Sequence, residues 1–157
     1  MRRRTSIIHD AYHEAGHAVV GLVLGLPVSS VWLVEEGRTP KGGLSGRTQF
    51  VGWGFSPLPE HEKMIANLAG DIAGGRYRGL EPWNGRGDEN HVLDAMDRLG
   101  PGSLTEGTGP LSLLMAEATA LVEEHWADIE RLAVVLAREH ELYNLAPETW
   151  RAAIGAP

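Results

Sequence analysis

Cysteine is absent from the 157 residues, and aromatic side chains make up only 6% of them. Without thiols there are no disulfides and no thiolate ligands, so a tightly held transition metal has only His, Asp and Glu to bind it. Long apolar runs are missing as well. The longest candidate, Ala18 to Val28, contains Gly21, Gly25 and Pro27 and falls well short of the roughly 20 residues that span a bilayer. Arg2, Arg3 and Arg4 lead into polar Thr5 and Ser6 instead of an apolar stretch, so no secretory signal is expected and the cytoplasm is the expected compartment. Positive charge is scarce: 14 Lys and Arg stand against 21 Asp and Glu, a net charge of −7. That balance argues against a nucleic-acid partner, which needs a concentrated basic surface. No G-x-x-x-x-G-K-[ST] phosphate loop occurs, so ATP-driven work is not expected of these residues.

What is present is the stretch His13-Glu14-Ala15-Gly16-His17, an HExxH pattern inside a helical segment. Residues four apart share one face of a helix, one turn along it. Both imidazoles therefore project together, as two ligands of a tetrahedral zinc ion must. Glu14 lies about 100° around the helix from His13, which suits it to deprotonate a water molecule and not to bind the metal. The expected chemistry is hydrolysis of a peptide bond with a metal-activated water. The plain alternative is a structural histidine pair. On the helical wheel Ile8, Ala11, Ala15, Val19, Leu22 and Leu26 form an apolar stripe, with Ala18 at its edge. The opposite side holds His9, His13, Gly16 and His17 where a surface helix would carry Lys and Glu. His9 lies about 12 Å along the axis from His17, too far to share a metal with both, and reads as a helix-surface residue.

The patterning predicts a mostly helical α+β fold: a motif helix packed with a small β-sheet, followed by a C-terminal helical subdomain. Helix is expected over Ser6–Leu24, with Gly25 and Pro27 as stop signals. Strands are expected over Val28–Val34 and Leu44–Trp53. A helix follows over Glu60–Tyr77, with Met64, Ile65, Leu68, Ala69 and Ile72 at helical spacing, and another over Asp88–Leu99. Glycines and prolines mark Gly100–Pro110 as a linker. Helices are then expected over Leu111–His125 and Asp128–His140, with a short one from Pro147. The length suits one domain: residues 1–100 carry the motif helix, sheet and ligand helices, 101–110 the linker loop, and 111–157 the helical tail. The five tryptophans are dispersed and read as core or groove walls. Glu123, Glu124, Asp128 and Glu130 read as a solvated helix face, while His61, His125 and His140 show no partner in the sequence.

Catalytic zinc keeps three protein ligands and an open position. No ligand follows His17 promptly, because the chain is apolar through Val34. The third must come from Glu60, His61, Glu62, Asp71, Asp88, Glu89, His91 or Asp94. Asp88 is preferred, since it follows the Trp83–Gly87 loop and opens a helix whose N–H groups stabilise a carboxylate. A plain helix cap is the alternative for Asp88, and His91, one turn on, is its rival.

Ala11-Tyr12-His13-Glu14-Ala15-Gly16-His17-Ala18-Val19-Val20 resembles the motif helix of the M41 peptidases, the peptidase module of the FtsH-type membrane proteases. The likeness continues through Pro27–Val31, Gly43–Phe50, Leu68-Ala69-Gly70, Gly87-Asp88 with Ala95, Glu123–Ala137 and Leu145–Thr149, and so covers nearly the whole chain. It implies a mostly helical zinc peptidase domain, with His13 and His17 as metal ligands, Glu14 as base and an aspartate as third ligand. The chain departs from that family in having no membrane anchor or ATPase module within these residues. It also reads Ala73-Gly74-Gly75 where the family has an acidic pair. The spacing from Asp88 to Ala95 is shifted, which keeps His91 and Asp94 open as ligands.

The expectation is a stand-alone zinc metalloendopeptidase with a polypeptide substrate, without nucleic acid or a membrane span of its own. An ATPase or membrane partner acting in trans is compatible with it, and no motif fixes an oligomeric state. The strand around Gly46–Gly52 either offers its edge to an extended substrate or is an ordinary hairpin strand. Two other functions fit the same residues: a non-catalytic, peptidase-derived protein-binding module, and a regulated peptidase that cuts one partner at one site.

Overall fold

The computed structural model describes residues 7–34, 46–51, 60–79 and 110–156. Among them are five helices and a three-stranded antiparallel sheet: α1 (Ile7–Val23), β1 (Val28–Leu33), β2 (Gly46–Phe50), α2 (Glu60–Tyr77), α3 (Pro110–Glu124), α4 (Trp126–Glu139), β3 (Glu141–Leu145) and α5 (Trp150–Ala153). The fold is mostly helical α+β. None of these helices is long and apolar enough to cross a membrane.

The motif helix stops where the sequence signals it. Gly25 takes φ +87°, its N–H donates to the Leu22 carbonyl at 3.0 Å, and the Leu26 N–H donates to the Gly21 carbonyl at 2.8 Å. This pair of bonds is the Schellman closure that a left-handed residue permits. Within α1, however, burial does not follow a single stripe. Ala11, Tyr12 and every residue from Glu14 to Leu22 are buried. The side expected to stand apart from the apolar stripe is covered by α2.

That packing is close because both helices present small residues. A Cβ built on Gly16 would collide with the Ala69 carbonyl and the Ala73 methyl group, and one built on Gly74 would press on His9 and His13. α4 covers another side of α1, burying Ile129, Leu132, Ala133 and Leu136 at helical spacing. Tyr12 is stacked between Tyr77 (ring centroids 4.3 Å apart) and Trp126 (5.3 Å). Arg76 lies 3.9 Å over the Trp126 ring and holds Glu123 at 2.6 Å.

The sheet order is β2-β1-β3, which differs from the expected helical tail. Directly after α4, His140 takes φ 67°, and the chain turns into β3, pairing Val28 with Leu145 and Val31 with Leu142. Three shorter differences accompany it. Pro110 is the first residue of α3, a position where its missing N–H costs nothing. Pro147–Thr149 form a turn, so the last helix begins at Trp150. Of the acidic stretch, Glu123, Glu124 and Glu130 are exposed, but Asp128 is partly buried against Arg151 at 3.3 Å. Trp150 itself belongs to the core, at 2% exposure. The expected Asp88–Leu99 helix lies outside the described residues, as does the 101–109 stretch of the linker.

Candidate metal centre

α1 carries His13, Glu14 and His17; α2 and β2 supply what surrounds them. His17 is 6% exposed, and its Nδ1–H donates to the Ala66 carbonyl on α2 at 2.7 Å. A helix carbonyl is normally screened by the side chain one turn on. Here that residue is Gly70, and a Cβ there would overlap the His17 imidazole. A carbonyl only accepts, so the His17 proton resides on Nδ1 and Nε2 presents a lone pair.

His13 repeats the pattern with a different partner. Its Nδ1 lies 3.5 Å from Asp71 Oδ1, and its Nε2 points at the Nε2 of His17, 3.1 Å away. The two rings are nearly perpendicular, at 88°. With both Nδ1 atoms facing acceptors, two ring lone pairs converge, and they repel unless a proton or a metal cation lies between them. Two nitrogen ligands of a tetrahedral zinc stand about 3.3 Å apart for Zn–N bonds of 2.0–2.1 Å. The donor set and its spacing therefore fit zinc. Each imidazole also has the outer hydrogen-bond acceptor that metal-bound histidines use to fix ring and tautomer.

Glu14 is buried, at 5% exposure. Thr48 Oγ1 on β2 lies 2.7 Å from Glu14 Oε2 and 3.0 Å from the Glu14 carbonyl oxygen. Gly46, two residues earlier on the same strand face, closes against the Glu14 side chain: a Cβ there would stand 3.0 Å from Glu14 Cγ and 2.9 Å from Leu33 Cδ2.

Of the proposed third ligands, Asp88, Glu89, His91 and Asp94 lie outside the described residues, and so does the side chain of Glu60. Asp71 sits on the Nδ1 side of His13, away from the converging Nε2 atoms, which makes it an orienting carboxylate. His61 pairs with Glu117 at 2.9 Å on an exposed face. Glu62 Oε2 is buried without a hydrogen-bond partner among the described residues. His9 contacts Asp10 at 3.4 Å and packs on Gly74, partly buried between the helices. Among the described residues no group of three or more His, Asp and Glu gathers to hold a metal, so the paired imidazoles are the described part of the candidate centre. Gly46, Thr48 and Gly70 fall within the Gly43–Phe50 and Leu68-Ala69-Gly70 stretches, but nothing in the sequence assigns them a role at the site; the roles they play here come from tertiary packing.

No protein-family model matches the chain, and no curated protein does.

Proposed function

We propose that this chain is a zinc-dependent metalloendopeptidase of the M41-like kind, acting in the cytoplasm on extended polypeptide. The observation that carries the reading is the convergence of the His13 and His17 Nε2 atoms at 3.1 Å with buried Glu14 between them in sequence. His13 and His17 would hold the metal, with Asp88 as third ligand. Bound zinc would supply a Lewis acid that activates water and polarises the scissile carbonyl. Glu14 takes a proton from the attacking water and returns it to the leaving amine. Its side chain is buried, with Thr48 at its carboxylate and Gly46 against its stem on β2, which limits its motion. The His17 Nδ1–H bond to Ala66 and the Asp71 carboxylate beside His13 Nδ1 favour the ring orientation that leaves both Nε2 atoms available. β2 is an outer strand of the described sheet and runs beside Glu14, where an extended peptide would add as a further strand.

The test is Glu14→Gln in zinc-loaded protein, assayed on fluorescein-labelled casein. Hydrolysis is expected to fall at least about 100-fold, the scale of a lost general base, with zinc content unchanged. Hydrolysis at the wild-type rate would remove Glu14 from the mechanism. A wild type that holds zinc yet cleaves nothing would leave the non-catalytic binding module as the better account.

A further inference from the structure

Buried carboxyl groups need hydrogen-bond partners, because burying them unpartnered carries a desolvation cost. Thr48 meets that need for Glu14. Its hydroxyl lies 2.7 Å from Oε2 and 3.0 Å from the Glu14 carbonyl oxygen, and the shorter distance is that of a well-formed O–H···O hydrogen bond. The single hydroxyl proton lies nearer Oε2, with the Glu14 carbonyl oxygen beside it, and this bond restrains the rotatable bonds that would otherwise let the side chain swing. A second contact from the same strand bounds the stem, since Gly46 lies against Glu14 Cγ.

The strand is placed by its pairing. Thr48 is opposite Val31 and Gly46 opposite Leu33 on β1, so Gly46, Thr48 and Phe50 share the face toward α1. Phe50 seats its ring on Gly21, where a Cβ would collide with it. A slip of one residue would bring Arg47 or Gln49 to the glutamate instead. Register in the sheet therefore determines which group meets the base.

We infer that Thr48 is a positioning residue that fixes the Glu14 carboxylate through its hydroxyl, making β2 the element that sets the general base. This inference rests on the reading of Glu14 as base. The experiment uses Thr48→Val, which keeps the shape and β-branching but removes the donor, and Thr48→Ser, which restores it. In zinc-loaded protein with fluorescein-labelled casein, Thr48→Val is expected to lower kcat at least about tenfold, with KM and zinc content within about twofold of wild type, and Thr48→Ser to recover most of the loss. A role confined to stability would not produce that split. In parallel, urea unfolding of Thr48→Val, Glu14→Met and the double variant forms a cycle that needs no activity. Thr48→Val should raise the unfolding constant about tenfold more in the presence of Glu14 than in its absence. An additive cycle, or a wild-type kcat in Thr48→Val, overturns the inference. A wild type that cleaves no casein defeats the peptidase reading, and the cycle still decides whether Thr48 holds Glu14.

Discussion

His17 reaches the Ala66 carbonyl only because Gly70 has no side chain, and His13 reaches Asp71 from the neighbouring turn of the same helix. The two imidazoles are thus oriented by different acceptors, one neutral and one anionic. Asp71 is the carboxylate that α2 presents to His13, at 3.5 Å. Asp71→Asn keeps the shape and removes the charge. Metal affinity is expected to fall about 10- to 100-fold, the usual effect of losing such an outer partner, with thermal stability of the metal-free protein little changed. A zinc titration by competition with a chromophoric chelator checks this, and an unchanged affinity would make the 3.5 Å contact incidental.

Helix α1 ends through a left-handed glycine, and the start of β1 follows within five residues. Gly25→Ala places a Cβ at φ +87° and is expected to cost about 1 kcal/mol, read as a Tm lower by roughly 3 °C. Among the described residues nothing lies within 4 Å of that Cβ, so an unchanged Tm would mean the closure is not strained by a side chain. This stop was legible, as were α1, α2, α3 and α4 apart from the place of Pro110, because apolar spacing and Gly25 act locally. β3 was not: Glu-Leu-Tyr-Asn-Leu is short, mixes charge with apolar residues and holds Asn144 at φ 55°. It becomes a strand through pairing with β1, more than a hundred residues away in sequence. The same limit applies to the site. His13, Glu14 and His17 lie on one turn and could be read as a set. Thr48 and Asp71 join them only by tertiary contact, and the burial of the histidine side of α1 depends on small residues of α2 whose use a helical wheel does not reveal.

For the whole molecule, the C-terminal segment closes the sheet through β3 and fills the core with Trp150, so residues far apart in sequence stabilise one motif helix. Tyr12 links α1, α2 and α4 in the aromatic stack. Burial, then the negative charge of Glu130 and the neighbouring Tyr77, raise its pKa above the usual 10.0. The folded state thus favours the neutral phenol. Its contribution to stability is whole below pH 10 and is lost as pH rises through the raised value. Tyr12→Phe should therefore lose less stability than wild type between neutral pH and pH 11 in urea unfolding, and parallel losses would contradict that role. Whether the paired histidines hold zinc is read by elemental mass spectrometry of purified wild type and of the His13→Ala/His17→Ala variant after zinc reconstitution and desalting. About one zinc per chain is expected in the wild type and none in the variant. Wild-type protein that emerges without zinc, or a variant that retains it, would mean that these histidines do not bind the metal.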